Sequence, residues 1–148
     1  MLTILTKLST VNDSILPKRA NTTDAGADLR SIADHTIYPG FSALVDTGVS
    51  VKIPKGFAGF IFNRSGQGLK GIIVMNSVGV IDSDYRGNIK VALMNMSDKP
   101  YEIKAFDTKI AQIVILPIVL ANFDPVVVLN EQEWLDTKRG TGGFGSTG

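Results

Sequence analysis

The sequence predicts an all-β fold, a barrel or a sandwich, on three observations. Turn signals recur along it, at Tyr38-Pro39-Gly40, Pro54-Lys55-Gly56, Asp82-Ser83-Asp84, Arg86-Gly87-Asn88, Ser97-Asp98-Lys99-Pro100 and Ala105-Phe106-Asp107. Between them lie short segments rich in β-branched and aromatic residues, the composition that a pleated, half-buried surface favours. Helical periodicity is weak throughout. Short strands with a turn every eight to twelve residues are the signature of a sandwich or barrel.

Taken in order, the predicted strands are 42–46, 49–53, 57–62, 72–75, 89–94 and 109–119. In the fifth, Ile89, Val91 and Leu93 fall on one face while Lys90 and Ala92 fall on the other, the alternation of a strand with one buried side. The last is almost wholly apolar from Ile110 onward, which predicts burial on both faces. A helical turn is expected after Ser65, with Ser65 as its N-cap and three nearby glycines keeping it short. A second turn is expected over 130–135, capped by Asn130, with Trp134 as a packing anchor. After Asp136 the sequence TKRGTGGFGSTG has no apolar pattern. Composition alone suits a solvated tail; Phe144, a lone aromatic within the glycines, suits a lid closing over a flat ring.

The chain has 148 residues, enough for one domain with its own core. It contains no cysteine, which excludes disulfides, thiolate metal sites and cysteine nucleophiles. Its one histidine, His35, excludes a two-histidine metal site and reads as a surface residue. Lysine plus arginine number 15 and aspartate plus glutamate 14, a net charge of +1, so a long nucleic acid is not the expected partner; a small phosphate pocket remains open. Lys52, Lys55 and Lys70 are scattered and read as solvated. The longest apolar run, 113–121, contains Pro117 and is far short of the roughly 20 residues of a membrane helix. No targeting segment is recognised at the N-terminus, so no membrane association is expected and the cytoplasm is the expected location, that of a host cell if the source is viral. Glycine numbers 15, and five of these fall in the last nine positions.

Three constellations can carry chemistry. Arg64-Ser65-Gly66 offers a planar donor fork, a hydroxyl and an accessible backbone N–H, which can grip an anion; a surface arginine beside an ordinary cap is the plain alternative. Val78 to Gly87 leads apolar residues into Asp82, Asp84 and Tyr85 within a turn, so one carboxylate can be poised as a base at the edge of a core, or both can merely solubilise a hairpin. Arg139 to Ser146 exposes backbone N–H groups and side-chain donors suited to phosphate oxygens. No Gly-Lys-Ser/Thr or GxGxxG phosphate loop occurs.

Taken together and in order, these segments resemble the homotrimeric dUTPase family. Ala25-Gly26-Ala27-Asp28-Leu29, Arg64-Ser65-Gly66, the run from Gly79 to Gly87, Lys109-Ile110-Ala111-Gln112, and the run from Arg139 to Gly148 resemble its five motifs. The resemblance implies a distorted jelly roll of the β-clip type with one short helix, assembled as a homotrimer with shared active sites. It implies a β domain over 1–136 and a C-terminal lid over 137–148. It implies hydrolysis of dUTP to dUMP and pyrophosphate with Mg²⁺ on the triphosphate, Asp82 being the general base. A hairpin from Asn76 to Tyr85 would read uracil through Asn76, Gly79, Val80, Ile81 and Asp82, with Tyr85 on the deoxyribose and Lys90 nearby. Arg64, Ser65, Gly66 and Gln112 would hold phosphates. Arg139, Phe144, Gly145, Ser146 and Thr147 would close over the ligand, and Asp28 would stand near the metal's water shell.

Three positions and one segment depart from the family pattern: Ala27 replaces an aromatic, Asn63 a proline and Gln67 a leucine, and 70–76 is a residue short. Two other functions fit the same resemblance: a dCTP deaminase-like enzyme, for which no additional carboxylate stands out, and a nucleotide-responsive regulatory binding protein.

Overall fold

The structure is a computed structural model and describes residues 2–145. It is built almost entirely of strands: β1 (Leu5–Leu8), β2 (Ala27–Arg30), β3 (His35–Ile37), β4 (Ser42–Asp46), β5 (Val49–Lys52), β6 (Phe57–Phe62), β7 (Ile72–Val74), β8 (Gly79–Ile81), β9 (Lys90–Asn95), β10 (Tyr101–Ile103) and β11 (Lys109–Pro117). A 3₁₀ turn over Asp13–Ile15 and two helices, α1 (Ser65–Gly68) and α2 (Glu131–Trp134), complete the described residues. The second helix exceeds the single one implied by resemblance, and forms where Asn130 was expected to cap: its side chain accepts from the Gln132 N–H. Ser65 is the first helical residue rather than the cap. Arg64 occupies the cap position, with no side-chain capping bond.

The strands form four antiparallel sheets, ordered β1-β5, β10-β3, β2-β11-β6-β8 and β4-β9-β7, and none closes into a barrel. The pairs β2 with β11, β3 with β10 and β4 with β9 are nested, as in a long hairpin folded upon itself. That nesting is the wiring of a jelly roll. One apolar cluster draws on every sheet, with Leu29, Ile37, Val45, Val49, Ile61, Ile72, Val91, Leu93, Ile103 and Ile110 at its centre. The alternation read in β9 holds: Val91 and Leu93 are buried, Lys90 is exposed. In β11 both faces are covered only as far as Ile113, and Leu116 and Pro117 are exposed.

Five strands escaped the sequence reading. They are three or four residues long, too short for alternation to stand out. Beyond β11 the chain leaves the body. Residues 118–130 form no strand or helix, and Val119, Leu120, Phe123 and Leu129 are exposed. Trp134, expected as an anchor, is 62% exposed and touches the core nowhere; it lines a shallow surface hollow with Val126 to Leu129. His35 is half-buried in β3.

The buried polar hub is Asn95. Its Nδ2 donates to the Ile37 and Lys99 carbonyls, both at 2.7 Å, and its Oδ1 accepts from the Ser97 N–H and hydroxyl. It thereby joins β9, β3 and the turn before β10. Replacing it strands buried groups without partners, a cost of about 1–3 kcal/mol for each. Asn95→Ala is expected to lower Tm by roughly 6–12 °C, read by thermal unfolding, at the few degrees per kcal/mol typical of this size. A shift below about 2 °C would show that the hub is dispensable.

Candidate active site

One half of the site is built around Asp28. Strand β2 sets it opposite Gln112 on β11. Its carboxylate is shared by two cations: Arg64 Nε donates to Oδ1 at 2.8 Å, and Lys109 Nζ lies 2.7 Å from Oδ2. The carboxylate is 13% exposed, so the pairing is shielded from water more than a surface pair would be. Only Nε of Arg64 is committed to Asp28, which leaves both Nη groups as donors into the cleft.

The turn carrying Arg64 is tied to β11. Gln112 Nε2 donates to the Asn63 carbonyl at 2.9 Å, and Gln67 Nε2 to the Lys109 carbonyl at 3.0 Å. Asn63 Nδ2 in turn donates to the Ile72 carbonyl at 3.0 Å. Gly26 leaves room for the Gln112 side-chain amide, which a Cβ there would have to displace. These residues enclose an open cleft of about 580 Å³ lined by Asp24, Gly26, Asp28, Arg64, Ser65, Gly66, Lys109 and Gln112 among others. No atom lies within 4 Å of a Cβ at Gly66, so a ligand can approach that backbone directly.

The cleft balances Arg64 and Lys109 against Asp24 and Asp28. Among the described residues no three carboxylate or histidine groups cluster to hold a metal, and both Asp28 oxygens already face cations. This donor set does not form a resident metal cage. It suits an anion that brings its own divalent cation, as Mg²⁺ does on phosphates.

The other half lies elsewhere in the chain. Segment 76–85 is not a hairpin: β7 pairs with β9 and β8 with β6, so it bridges two sheets. Strand β8 ends its sheet, so the outer edge of Gly79, Val80 and Ile81 is unpaired. Asn76 is exposed in the preceding loop, beside Ser77 with φ of 57°. Ile81 packs against the core, whereas Asp82 is exposed and, among the described residues, takes part in no ion pair. The expected shielding of Asp82 at a core edge is therefore not supplied by this chain alone. Tyr85 folds back, its hydroxyl donating to the Asn88 carbonyl at 2.9 Å across Gly87, where a Cβ would strike the ring hydroxyl. Lys90 is exposed at the start of β9, opposite Asp46.

The strand registers measure the gap. Ile81 lies opposite Gly59, which lies opposite Ile115, while Asp28 lies opposite Gln112. Three strand spacings across and three residues along put Ile81 roughly 17 Å from Asp28. The tail joins neither half: Arg139 Nε donates to the Gly142 carbonyl, Phe144 is exposed with φ of 50°, and neither they nor Gly145 line the cleft. Ser146 and Thr147 lie outside the described residues. The sequence reading missed Asp24, Lys109 and Gln67 as parts of the phosphate half; Lys109, inside a quoted motif, carried a visible signal, whereas Gln67 is revealed only by its contact.

The sequence pattern of the dUTPase family matches residues 12–148. The deoxyuridine 5'-triphosphate nucleotidohydrolase of Wolbachia sp. subsp. Brugia malayi is 46% identical over 145 residues, covering 96% of this chain and 90% of that one. A variant of the Staphylococcus bacteriophage 80alpha dUTPase, solved with dUpNHpp, is similar with a TM-score of 0.82 and 27% identity, covering 100% of this chain and 99% of that one. A variant of the dUTPase from phage phi11 of S. aureus, whose structure shows coordination of a structural Mg(II) ion, gives a TM-score of 0.76 at 26% identity, covering 86% of this chain and 99% of that one. With the family pattern running from residue 12 to the last residue, and the nested strands shared with solved members, this chain belongs to the dUTPase family.

Proposed function

We propose that this chain hydrolyses dUTP to dUMP and pyrophosphate in the cytoplasm, as a homotrimer in which each site draws on more than one copy. The observation that carries the shared site is the gap of roughly 17 Å between the Asp28 cleft and the Asp82 segment. A base held that far from the phosphate grip cannot serve the same α-phosphorus within one chain.

In this reading, the cleft of one copy takes the phosphates. Arg64 presents its free Nη groups, and Ser65, Gly66 and Gln112 add donors around them. Asp28 holds Arg64 and Lys109 in place and does not ligate the metal directly. Mg²⁺ carried in on the triphosphate would offset part of its charge and so favour pyrophosphate as a leaving group. The segment from a neighbouring copy takes the nucleoside. The open edge of β8 offers backbone N–H and C=O groups in alternation, which suit the carbonyl acceptors and the ring N–H donor of uracil. Cytosine reverses that pattern at N3 and at the exocyclic group on C4 and would leave buried groups there unpaired. Asn76 completes the edge, Tyr85 packs on the deoxyribose where a 2′-hydroxyl would clash, and Lys90 flanks the pocket.

Asp82 takes a proton from the attacking water as its oxygen bonds to the α-phosphorus. The bond from that phosphorus to the bridging oxygen breaks in line, and pyrophosphate leaves. Residues 137–148 act as a lid: Phe144 stacks on the base, and Arg139, Gly145, Ser146 and Thr147 add phosphate donors while excluding water.

Asp82→Asn is expected to lower kcat by about 10³-fold while leaving affinity for a non-hydrolysable dUTP analogue within several-fold. Near-normal turnover would remove Asp82 from the base role. The parent should release pyrophosphate from dUTP at least ~10²-fold more efficiently than from dCTP, dTTP or UTP. Mixing Asp82→Asn chains with Arg64→Ala chains, after dissociation and reassembly, should regenerate about a quarter of the sites, because each regenerated site takes Arg64 from one chain and Asp82 from another. Sites confined to single chains would stay silent. Deleting residues 139–148 should cut kcat/KM by ~10²-fold or more while shifting Tm by under about 2 °C; equal loss of both would make the tail a structural arm.

A further inference from the structure

We infer that Gln67 is a positioning residue for the phosphate grip, tying the turn that carries Arg64 to the strand that carries Lys109. The inference rests on phosphate binding at Arg64, as proposed above. A helix as short as α1 cannot hold its own orientation, since nucleation of an isolated turn is unfavourable. No side chain caps it at Arg64. External tethers must aim it. Gln112 and Asn63 tether its entry, through Asn63 itself. Gln67, 7% exposed, tethers its body.

The acceptor is the significant part. Lys109 stands at a register irregularity between β11 and β2, where the pairing passes from Lys109 directly to Ala111. On the other side β6 has already ended: its last partner is Phe62, opposite Gln112. The Lys109 carbonyl is thus outside the β6 ladder, and the Gln67 amide supplies a donor where a strand would have. The result is a ring. Arg64 reaches Asp28, Asp28 reaches Lys109, and the Lys109 main chain returns through Gln67 to the turn bearing Arg64. Breaking the ring at Gln67 leaves both ion pairs possible but frees their spacing.

The Gln67 side chain also meets the Tyr101 phenol, the polar tips of both being buried. Burial pushes the Tyr101 phenol above its ordinary range, against smaller opposing effects from Gln67 and the Arg64 charge. The donor on Nε2 is what an apolar residue cannot replace.

The test compares Gln67→Leu, Gln67→Met and Tyr101→Phe in full-length chains. In both Gln67 variants Tm should stay within about 4 °C of the parent, KM for dUTP should rise about 5–20-fold, and kcat should stay within about twofold, as expected for loss of uniform binding. Inhibition by dUMP, which lacks the two outer phosphates, should shift by less than about twofold. Tyr101→Phe should leave KM unchanged. An unchanged KM in a folded Gln67→Leu or Gln67→Met chain, or dUMP inhibition weakening in step with KM, overturns the inference; the second result marks general disorder of the site. A parent chain inert towards dUTP overturns the proposed function instead, so the two failures are distinguishable.

Discussion

Strand β6 stops at Phe62, while its partner β11 begins at Lys109, three residues before the last register pair between them. The backbone of residues 109–111 on that side has no strand to meet. Buried peptide groups must find partners, so the chain after β6 has to fold back over the vacancy and satisfy it with side chains. That turn is the one carrying Arg64, Ser65 and Gly66. The placing of that turn is thus a consequence of how a ladder ends: the Gln67 amide serves the Lys109 carbonyl, and the Gln112 amide serves the Asn63 carbonyl across the gap.

The same sheet keeps the Asp28 cleft and the Asp82 segment apart within a chain. β2 lies at one edge and β8 at the other, with β11 and β6 between them. Arg64, Lys109 and Gln112 gather around the first edge, while the second keeps its outer backbone groups free. A free edge ordinarily invites unwanted strand pairing, and short strands are one protection against it. β8 has three residues, too few to recruit a long strand.

Much of this was legible in the residues. The bounds of β4 and β6 follow from β-branched and aromatic runs between turn signals, and the alternation in β9 survives intact. β2 was hidden because Ala27-Asp28-Leu29-Arg30 alternates over only four positions, two of them charged. Trp134 misled because a lone tryptophan usually marks a core, whereas here it travels with a segment outside the body. In the site, Arg64-Ser65-Gly66 could be picked out as a tripeptide. Its counter-ion lies 36 residues away, and pairing at that separation depends on topology, not spacing. Gln67 was visible only as a departure from pattern; its purpose depends on a carbonyl 42 residues on.

Residues 118–130 extend from the body with Val119, Phe123 and Leu129 each more than 90% exposed. Large apolar side chains exposed to that degree are costly in water and favour whatever can cover them. If copies of the chain cover one another there, folding and association share a single free energy, and mass action governs both. Stability then ceases to be a constant of the sequence. It becomes a function of how many chains are present, and dilution acts on the fold as a denaturant would.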